Sequence, residues 1–296
     1  MRVLSQKNSL LANLIISELK QKPIILNIQK FADTESLIEI DSNQISGETI
    51  LLVWQFSFCE KNPANNQIFN FLLSADMLKK MGAKEIIGVL PYLPYSRQDE
   101  STLNLIGKLF KSAGVNKIFS IELHEPSIKE NFAIEIEEIK ISQFWADHLK
   151  NFKPNLCIVS PDKGRIEVDK QIANLLKADF AYVTKKRLKH DYAVALNLHG
   201  NVENKNVIII DDILDTARTA CSACELVLKN GAKSVTGCFG HAIFANDAIK
   251  RINKSKFEKI FITNTIPVSK EFLDKNKNFN VLNIGSLLCK ILKKKI

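Results

Sequence analysis

The sequence predicts an α/β protein with mainly parallel sheets flanked by helices, and two observations support this fold class. Short apolar runs rich in β-branched residues alternate with segments of helical periodicity along almost the whole chain of 296 residues. Some runs, such as the Val-Ile-Ile-Ile of residues 207–210, are apolar at every position, which is typical of a strand buried on both faces. Alternating strands and helices indicate parallel strands with helices covering each sheet.

The predicted elements fall into two similar halves. Predicted strands span residues 23–28, 50–54, 85–90, 117–121, 155–160, 180–183, 207–210, 234–239 and 259–263. Predicted helices span residues 10–20, 67–81, 103–113, 141–150, 163–176, 217–229, 246–252 and 285–292. Each half contains strands, helices and loops of the kind that bind ligands. We therefore expect domains at residues 1–140 and 141–296, with the final helix packing back on the first domain.

The composition is that of a globular protein. Hydrophobic residues make up 46% and charged residues 25% of the chain, and no run approaches the length of a membrane span. Six scattered cysteines favour reduced thiols and a cytoplasmic location. Cys221 and Cys224 form a CxxC pair at helical spacing, but no second pair completes a zinc site. We expect this pair to pack against a sheet rather than to bind metal.

The net charge of +9 comes mostly from dispersed lysines, without the basic, aromatic-interleaved stripe of a nucleic-acid-binding protein. We expect neither nucleic acid nor a membrane as partner, and the charge favours small polyanions instead. Only six arginines occur, and Arg97, Arg187 and Arg218 lie in predicted turns. The planar guanidinium suits bidentate binding of phosphate, so these three positions are candidate phosphate contacts.

The turn after the Val-Ile-Ile-Ile run carries the densest set of candidate residues. Asp211 and Asp212 end the strand and suit sugar hydroxyls or a metal ion. Thr216 and Thr219 offer hydroxyls where the next helix begins, and helix N–H groups favour a phosphate there. Ligands bind at the carboxyl ends of strands in open sheets of this type. In the alternative, structural interpretation, the Asp pair ends the strand and Asp215 with Thr216 caps the helix.

Two other loops end strands with polar side chains. Arg97, Gln98 and Asp99 present a cation, an amide and a carboxylate in consecutive positions, which suits a phosphate together with nucleobase or ribose groups. A polar loop without a role is the alternative. His124 follows a strand between acidic neighbours and is a candidate metal ligand, and Asp162 follows another strand just before a helix.

A basic pair follows the predicted strand 180–183. Lys185 and Arg187 lie two residues apart, so in extended backbone both side chains point the same way. Such a pair could clamp a transferring phosphoryl group. A solvated charge cluster is the alternative.

Several loops together carry the motifs of one family, in the family's order. They read Phe31-Ala32-Asp33-Thr34-Glu35, Pro91-Tyr92-Leu93-Pro94-Tyr95-Ser96-Arg97-Gln98-Asp99, Glu122-Leu123-His124, Ser160-Pro161-Asp162, Lys185-Lys186-Arg187, Asp211-Asp212-Ile213-Leu214-Asp215-Thr216-Ala217-Arg218-Thr219 and Ile262-Thr263-Asn264-Thr265-Ile266-Pro267. On these motifs the chain resembles the ribose-phosphate pyrophosphokinases over nearly its whole length. Each motif alone is weak, but the ordered set is very specific.

The resemblance implies two tandem phosphoribosyltransferase-like domains and the reaction of ATP with ribose 5-phosphate to give phosphoribosyl pyrophosphate and AMP. It also implies Mg2+ as cofactor and a homo-oligomer in which a neighbouring subunit helps to hold ATP. The implied nucleotide-binding residues are Phe31, Asp33, Glu35, Arg97, Gln98 and Asp99. The implied ribose 5-phosphate-binding residues are Asp211, Asp212, Asp215, Thr216, Ala217, Arg218 and Thr219. His124 and Asp162 would organise the metal, and Lys185 and Arg187 would stabilise charge on the transferring group.

Three departures from the family pattern leave alternatives open. Arg218 stands where the family has Gly, so its side chain either narrows the phosphate loop or binds the phosphate itself. Glu122 stands where the family has Asp, and Glu100 and Ser101 stand where it usually has basic residues. These changes keep open a catalytically weak, regulatory family member that binds nucleotide or ribose phosphate. A phosphoribosyltransferase is a further alternative, although the Arg-Gln-Asp loop and the tandem domains argue against it.

Overall fold

The computed structural model describes residues 1–7, 9–41, 44–58, 63–187 and 194–296, with the backbone alone at 185–187 and 194–195. The chain divides into two compact units. The first contains Met1–Ile139, Asn264–Pro267 and Asn283–Ile296, and the second contains Lys140–Thr263 and Val268–Leu282. Within the described ranges, no helix is both long enough and apolar enough to cross a membrane.

The first unit is built on a seven-stranded sheet. Its elements are β1 (Arg2–Ser5), α1 (Leu10–Glu18), β2 (Pro23–Lys30), β3 (Ser36–Asp41), β4 (Thr49–Val53), α2 (Ala64–Lys80), β5 (Glu85–Val89), α3 (Glu100–Ser112), β6 (Lys117–Ile121), α4 (Ile128–Asn131), β7 (Glu135–Ile139) and α10 (Gly285–Lys295). The strand order is β3-β2-β1-β4-β5-β6-β7. All neighbours are parallel except β2 and β3, which form a hairpin.

The second unit repeats this plan. Its elements are α5 (Ser142–Leu149), β8 (Leu156–Ser160), α6 (Ile166–Leu176), β9 (Asp179–Arg187), β10 (Val194–His199), β11 (Asn206–Leu214), α7 (Arg218–Lys229), β12 (Ser234–Ala242), α8 (Ala248–Lys254), β13 (Lys259–Thr263), α9 (Lys270–Lys275) and β14 (Phe279–Leu282). The strand order is β10-β9-β8-β11-β12-β13-β14, with β9 and β10 antiparallel and the other neighbours parallel. The two sheets therefore have the same topology.

Each unit has its own apolar core. In the first unit the rings of Trp54, Phe71 and Phe110 pack against one another below the sheet strands, and all three are fully buried. In the second unit the apolar face of α7, including Cys221 and Cys224, is buried against the sheet. The observed position of this cysteine pair agrees with the packing role predicted from its spacing.

The predicted strands and helices are all present, but the sequence missed five strands, β1, β3, β7, β10 and β14, and two short helices, α4 and α9. Four of the missed strands are the outer strands of the two sheets. Outer strands are half-exposed and carry polar residues, so they lack the continuous apolar run that reveals a central parallel strand. β1 is central but only four residues long.

Candidate functional site

The sheet of the second unit reverses its strand order between β8 and β11. Parallel strands on the two sides of such a point diverge into loops that leave a crevice at their carboxyl ends. A pocket of about 470 Å³ opens there. Its lining residues are Pro161, Val183, Leu196, Thr216, Arg218, Thr219 and Ser222. The pocket thus joins the turn after β8, the turn after β11 and the hairpin of β9 and β10.

Backbone hydrogen bonds hold the turn between β11 and α7 in place. The carbonyl of Leu214 accepts from the N–H groups of Ile243 at 3.0 Å and Phe244 at 3.1 Å. The carbonyl of Asp215 accepts from Ala245 N–H at 3.1 Å. The guanidinium of Arg251 donates to the carbonyl of Thr216. Because its carbonyls are engaged behind the turn, the N–H groups at the start of α7 are presented on the pocket side.

The left-handed residue of this turn is Ala217, with φ 60° and ψ 8°. Arg218 is the first residue of α7 and is exposed, and its φ is not positive. A backbone strain caused by Arg218 itself is therefore excluded. Thr216, Arg218 and Thr219 all line the pocket, and a cation with two hydroxyl-bearing residues at the start of a helix is the arrangement expected of a phosphate site.

Asp211 and Asp212 are buried side by side at the end of β11. Asp212 is 2% exposed, and its N–H donates to Asp211 Oδ1 at 3.0 Å. Burial, followed by the charge of Asp212, raises the pKa of Asp211 well above its usual range, and the charge of Asp162 acts in the same direction. Arg165 opposes this shift, since its Nε lies 4.0 Å from Asp211 Oδ1. The site is therefore an acidic centre that would be stabilised by a cation or by hydroxyl donors.

The turn after β8 is organised by two aspartates. Asp162 Oδ1 accepts from Gly164 N–H at 3.0 Å. Ser160 Oγ donates to the buried Asp169 Oδ2 at 2.7 Å and also lies 3.1 Å from the carbonyl of Asp162. Asp169 Oδ1 lies 3.4 Å from a guanidinium nitrogen of Arg165. Sequence reasoning missed both Arg165 and Asp169, although their spacing of four residues at the start of a helix was visible in the sequence.

The predicted catalytic pair lies at the end of β9. In the backbone register, Lys185 pairs with Leu196 and Arg187 pairs with Val194. Val183, two residues before Lys185, and Leu196 both line the pocket. The fold therefore places positions 185 and 187 at the pocket end of the hairpin.

In the first unit, Phe31, Asp33 and Glu35 form the tip of the hairpin between β2 and β3. The backbone closes the tip through Thr34 N–H to Phe31 O at 3.0 Å and Phe31 N–H to Glu35 O at 2.9 Å. Asp33 Oδ1 accepts from Glu35 N–H at 3.0 Å. Phe31 is 52% exposed, which is unusual for a ring of this size and leaves a face for stacking.

The loop between β5 and α3 brings Arg97 and Gln98 to the surface. Asp99, predicted to bind nucleotide, caps α3 by accepting from Thr102 N–H at 2.8 Å. Ser101 Oγ also donates to Asp99 Oδ1, at 3.0 Å. These hydrogen bonds hold the pKa of Asp99 below its usual range, and the one from Thr102 contributes most. If Asp99 binds nucleotide, it does so in addition to capping α3.

His124 is the third residue after β6 in the first unit and is exposed, whereas Asp162 lies in the second unit. Across the part of the chain that the structure describes, no three His, Cys, Asp or Glu residues come together as a protein-only metal site. Mg2+ is commonly held by one or two carboxylates with water and substrate phosphates. The buried pair Asp211 and Asp212 fits such an ion on charge, since a bound cation would offset the repulsion that raises the pKa of Asp211, to which the charge of Asp162 also contributes.

The fold defines a protein with two phosphoribosyltransferase-like units, and the turn after β11 is a candidate phosphate site. Residues 1–114 match the family model of the N-terminal domain of ribose phosphate pyrophosphokinase, and residues 184–295 match that of the phosphoribosyl synthetase-associated domain. The ribose-phosphate pyrophosphokinase of Aquifex aeolicus is 32% identical over 269 residues, covering 88% of this chain and 83% of the relative. That of Bacillus subtilis is 33% identical over 275 residues, covering 90% and 84%. The chain belongs to the ribose-phosphate pyrophosphokinase family.

A solved structure supports the fold. The phosphoribosylpyrophosphate synthetase of Mycobacterium smegmatis superposes with a TM-score of 0.87, covering 99% of this chain and 97% of that one. Its sequence identity is 24%. The same two-unit architecture is therefore kept at low sequence identity.

Proposed function

We propose that this protein transfers the diphosphoryl group of ATP to the 1-hydroxyl of ribose 5-phosphate, giving phosphoribosyl pyrophosphate and AMP. The observation that carries the proposal is the crevice of the second unit. There, a buried acidic pair that suits sugar hydroxyls lies a few residues from a turn that suits a phosphate. Ribose 5-phosphate carries both sugar hydroxyls and a phosphate. Membership of the family supports diphosphoryl transfer as the reaction.

The ribose 5-phosphate end of the site is assigned to the turn after β11. Asp211 and Asp212 would accept hydrogen bonds from the ribose hydroxyls. The turn from Asp215 to Thr219 would hold the phosphate with the N–H groups at the start of α7, the threonine hydroxyls and Arg218. Asp215 would act through its place in the turn, because a carboxylate repels phosphate.

ATP is assigned to loops of the first unit. Phe31 would stack on the base, with Asp33 and Glu35 near the nucleotide, and we propose that a neighbouring subunit of a homo-oligomer donates this hairpin tip. Arg97 and Gln98 would contact the nucleotide from the loop between β5 and α3, with Asp99 in the same loop. The exposure of Phe31 supports this assignment, since a stacking ring must leave one face open.

Mg2+ is the proposed cofactor, and the family resemblance implies His124 and Asp162 as residues that organise it. When bound, the ion would neutralise phosphate charge and orient the diphosphoryl group. Lys185 and Arg187 would stabilise the charge of the transferring group, which is the main demand of a loose phosphoryl-transfer transition state. The protein itself aligns the 1-hydroxyl by fixing the sugar through Asp211, Asp212 and the phosphate turn.

A second candidate function is that of a catalytically weak, regulatory family member. Arg218 favours it, because a charged side chain lines the pocket at a position where the family has Gly. A phosphoribosyltransferase is the third candidate, to be separated by its own assay.

The deciding experiment measures AMP release by the purified full chain with ATP, ribose 5-phosphate and MgCl2. Omitting the sugar phosphate or the metal provides the controls. We expect release that depends on both. Binding of ribose 5-phosphate without AMP release would favour the regulatory function, and pyrophosphate release from phosphoribosyl pyrophosphate with a nucleobase would show a transferase. If the protein releases no AMP with ATP, ribose 5-phosphate and MgCl2, the proposal is overturned.

A further inference from the structure

A buried carboxylate that is linked to Asp211 through Arg165 belongs to no family motif named above. Asp169, on α6, is 0% exposed. A buried charge is costly unless it is paired and hydrogen-bonded. Ser160 Oγ donates to Asp169 at 2.7 Å, and Arg165 approaches its other oxygen at 3.4 Å. The carboxylate is thus paired: the Ser160 hydroxyl is the nearer of these two partners, and the Arg165 guanidinium is the cationic one.

That guanidinium connects α6 to β11. The side chain of Arg165 is only 11% exposed, and its Nε lies 4.0 Å from Asp211 Oδ1. The same Oδ1 accepts the N–H of Asp212 at 3.0 Å. Both contacts converge on Oδ1 of Asp211, so a cation at 4.0 Å and a backbone hydrogen bond at 3.0 Å both favour one orientation of this carboxylate.

We propose that Arg165 and Asp169 form a positioning pair for Asp211: Asp169 holds Arg165, and Arg165 holds the Asp211 carboxylate in the orientation that receives the ribose hydroxyls. This inference rests on the proposed function for the identity of the ligand. Arg165 also brings a cation beside Asp211, which offsets the repulsion between the two adjacent carboxylates.

An ion pair that served stability alone would behave differently from a positioning pair. Replacing a buried pair by apolar residues of similar volume is often neutral for stability, whereas removing one partner is strongly destabilising. The double variant Arg165→Met/Asp169→Leu therefore separates the two roles. Ser160 keeps an acceptor in this variant, because its hydroxyl also lies 3.1 Å from the Asp162 carbonyl.

The experiment compares ribose 5-phosphate binding by calorimetry, without ATP, in the full chain, the double variant, Arg165→Lys and a control. The control is Glu271→Gln/Lys275→Met, which removes an exposed pair of the same four-residue spacing on α9. We expect the double variant to melt near the wild-type temperature but to bind at least about tenfold more weakly, the effect of one charge-assisted contact. Arg165→Lys should restore part of the affinity, and the control should bind like wild type.

Steady-state kinetics and NMR complete the test. The KM for ribose 5-phosphate should rise in the double variant more than kcat falls. With 13C-labelled aspartate, the carboxyl resonance of Asp211, assigned from Asp211→Asn, should shift in the double variant even without ligand. Binding within twofold of wild type would overturn the positioning role. If wild type itself binds no ribose 5-phosphate, the proposed function fails, and an unshifted Asp211 resonance would then overturn this inference separately.

Discussion

The fourth strand of each sheet, β4 in the first unit and β11 in the second, occupies the same topological place but ends in different chemistry. After β11 come the buried acidic pair and an open pocket. After β4 come Trp54, Gln55 and Phe56, all buried. The side chain of Gln55 receives a hydrogen bond from Ser9 Oγ at 2.8 Å and donates to the carbonyl of Asn264 at 2.7 Å.

This difference shows that strand topology sets the position of the crevice, whereas the side chains after the strand set whether the crevice is open. The strand order creates a crevice at the same point of each sheet. In the first unit, aromatic rings and a network of amides fill that place. In the second unit, the turn after β11 bends away through the left-handed Ala217 and leaves the pocket open. The fold supplies the position, and the residues after the strand determine whether it can bind a ligand.

The largest expected effect lies in the hairpin beside the open crevice. Lys185→Ala and Arg187→Ala should each lower kcat about a hundredfold, because each removes about 3 kcal/mol of transition-state stabilisation. Nucleotide affinity should change much less. Steady-state kinetics and ATP binding measured on the same preparations test this. Turnover near wild type in both variants would remove these residues from the mechanism.

Arg218→Gly tests the open crevice itself. We expect weaker ribose 5-phosphate binding, by roughly 1.5–3 kcal/mol, because a charge-assisted contact is lost and Arg218 carries no positive-φ strain to relieve. The loss should be greater at low than at high ionic strength. Calorimetry at two salt concentrations measures it. Tighter binding by the glycine variant at both concentrations would show that the side chain obstructs the site.

The corresponding hairpin of the first unit is tested by Phe31→Ala. ATP affinity should fall by about 1–3 kcal/mol, the value of one aromatic stack on a base. Ribose 5-phosphate affinity should stay unchanged. Losing both affinities equally would point to a defect in folding or assembly instead.

Gln55→Ala tests the filled crevice. It leaves buried polar partners unsatisfied, so the free energy of unfolding should fall by about 1–3 kcal/mol. Ribose 5-phosphate binding in the second unit should not change. Urea denaturation and calorimetry measure the two quantities. A variant that kept its stability but lost sugar-phosphate binding would contradict the division of roles between the two crevices.

The smallest effect is expected on stability at Asp211. Burial, followed by the charge of Asp212, raises its folded pKa above the unfolded value, so the folded protein binds more protons and loses stability as pH rises through that folded value. Asp211→Asn should therefore raise Tm at neutral pH in EDTA, with no gain at pH values below the unfolded pKa. A pH series of melting curves checks the sign, and a lower Tm at neutral pH would contradict it.

Much of this site could be predicted because its residues follow central strands directly. The acidic pair and the threonines come within nine residues of a clearly recognisable buried strand. In an open parallel sheet, ligands bind at the carboxyl ends of such strands. Arg165 and Asp169 could not be predicted in the same way. A charged pair four residues apart on a helix usually lies at the surface, and only the packing of α6 beside β8 buries Asp169.

The left-handed position could not be assigned from the sequence either. The motif placed the family glycine at Arg218, whereas the turn needs its positive φ one residue earlier, at Ala217. Whether a turn bends at one residue or the next depends on where the helix begins, and helix boundaries are the least predictable part of a sequence. The single-residue difference changes Arg218 from a strained position into an ordinary helical one.

The path of the chain has a consequence for how the protein is made. Residues 283–296 belong to the first unit, yet the whole of the second unit precedes them along the chain. Within the first unit, a Cβ added at Gly285 would lie 2.3 Å from a methyl group of Leu14, so α10 sits directly on α1. Synthesis runs from the N-terminus, and domains fold as their residues emerge. The first unit is therefore begun first and completed last. Until α10 emerges from the ribosome, the apolar helix α1 of the nascent chain lacks the helix that covers it.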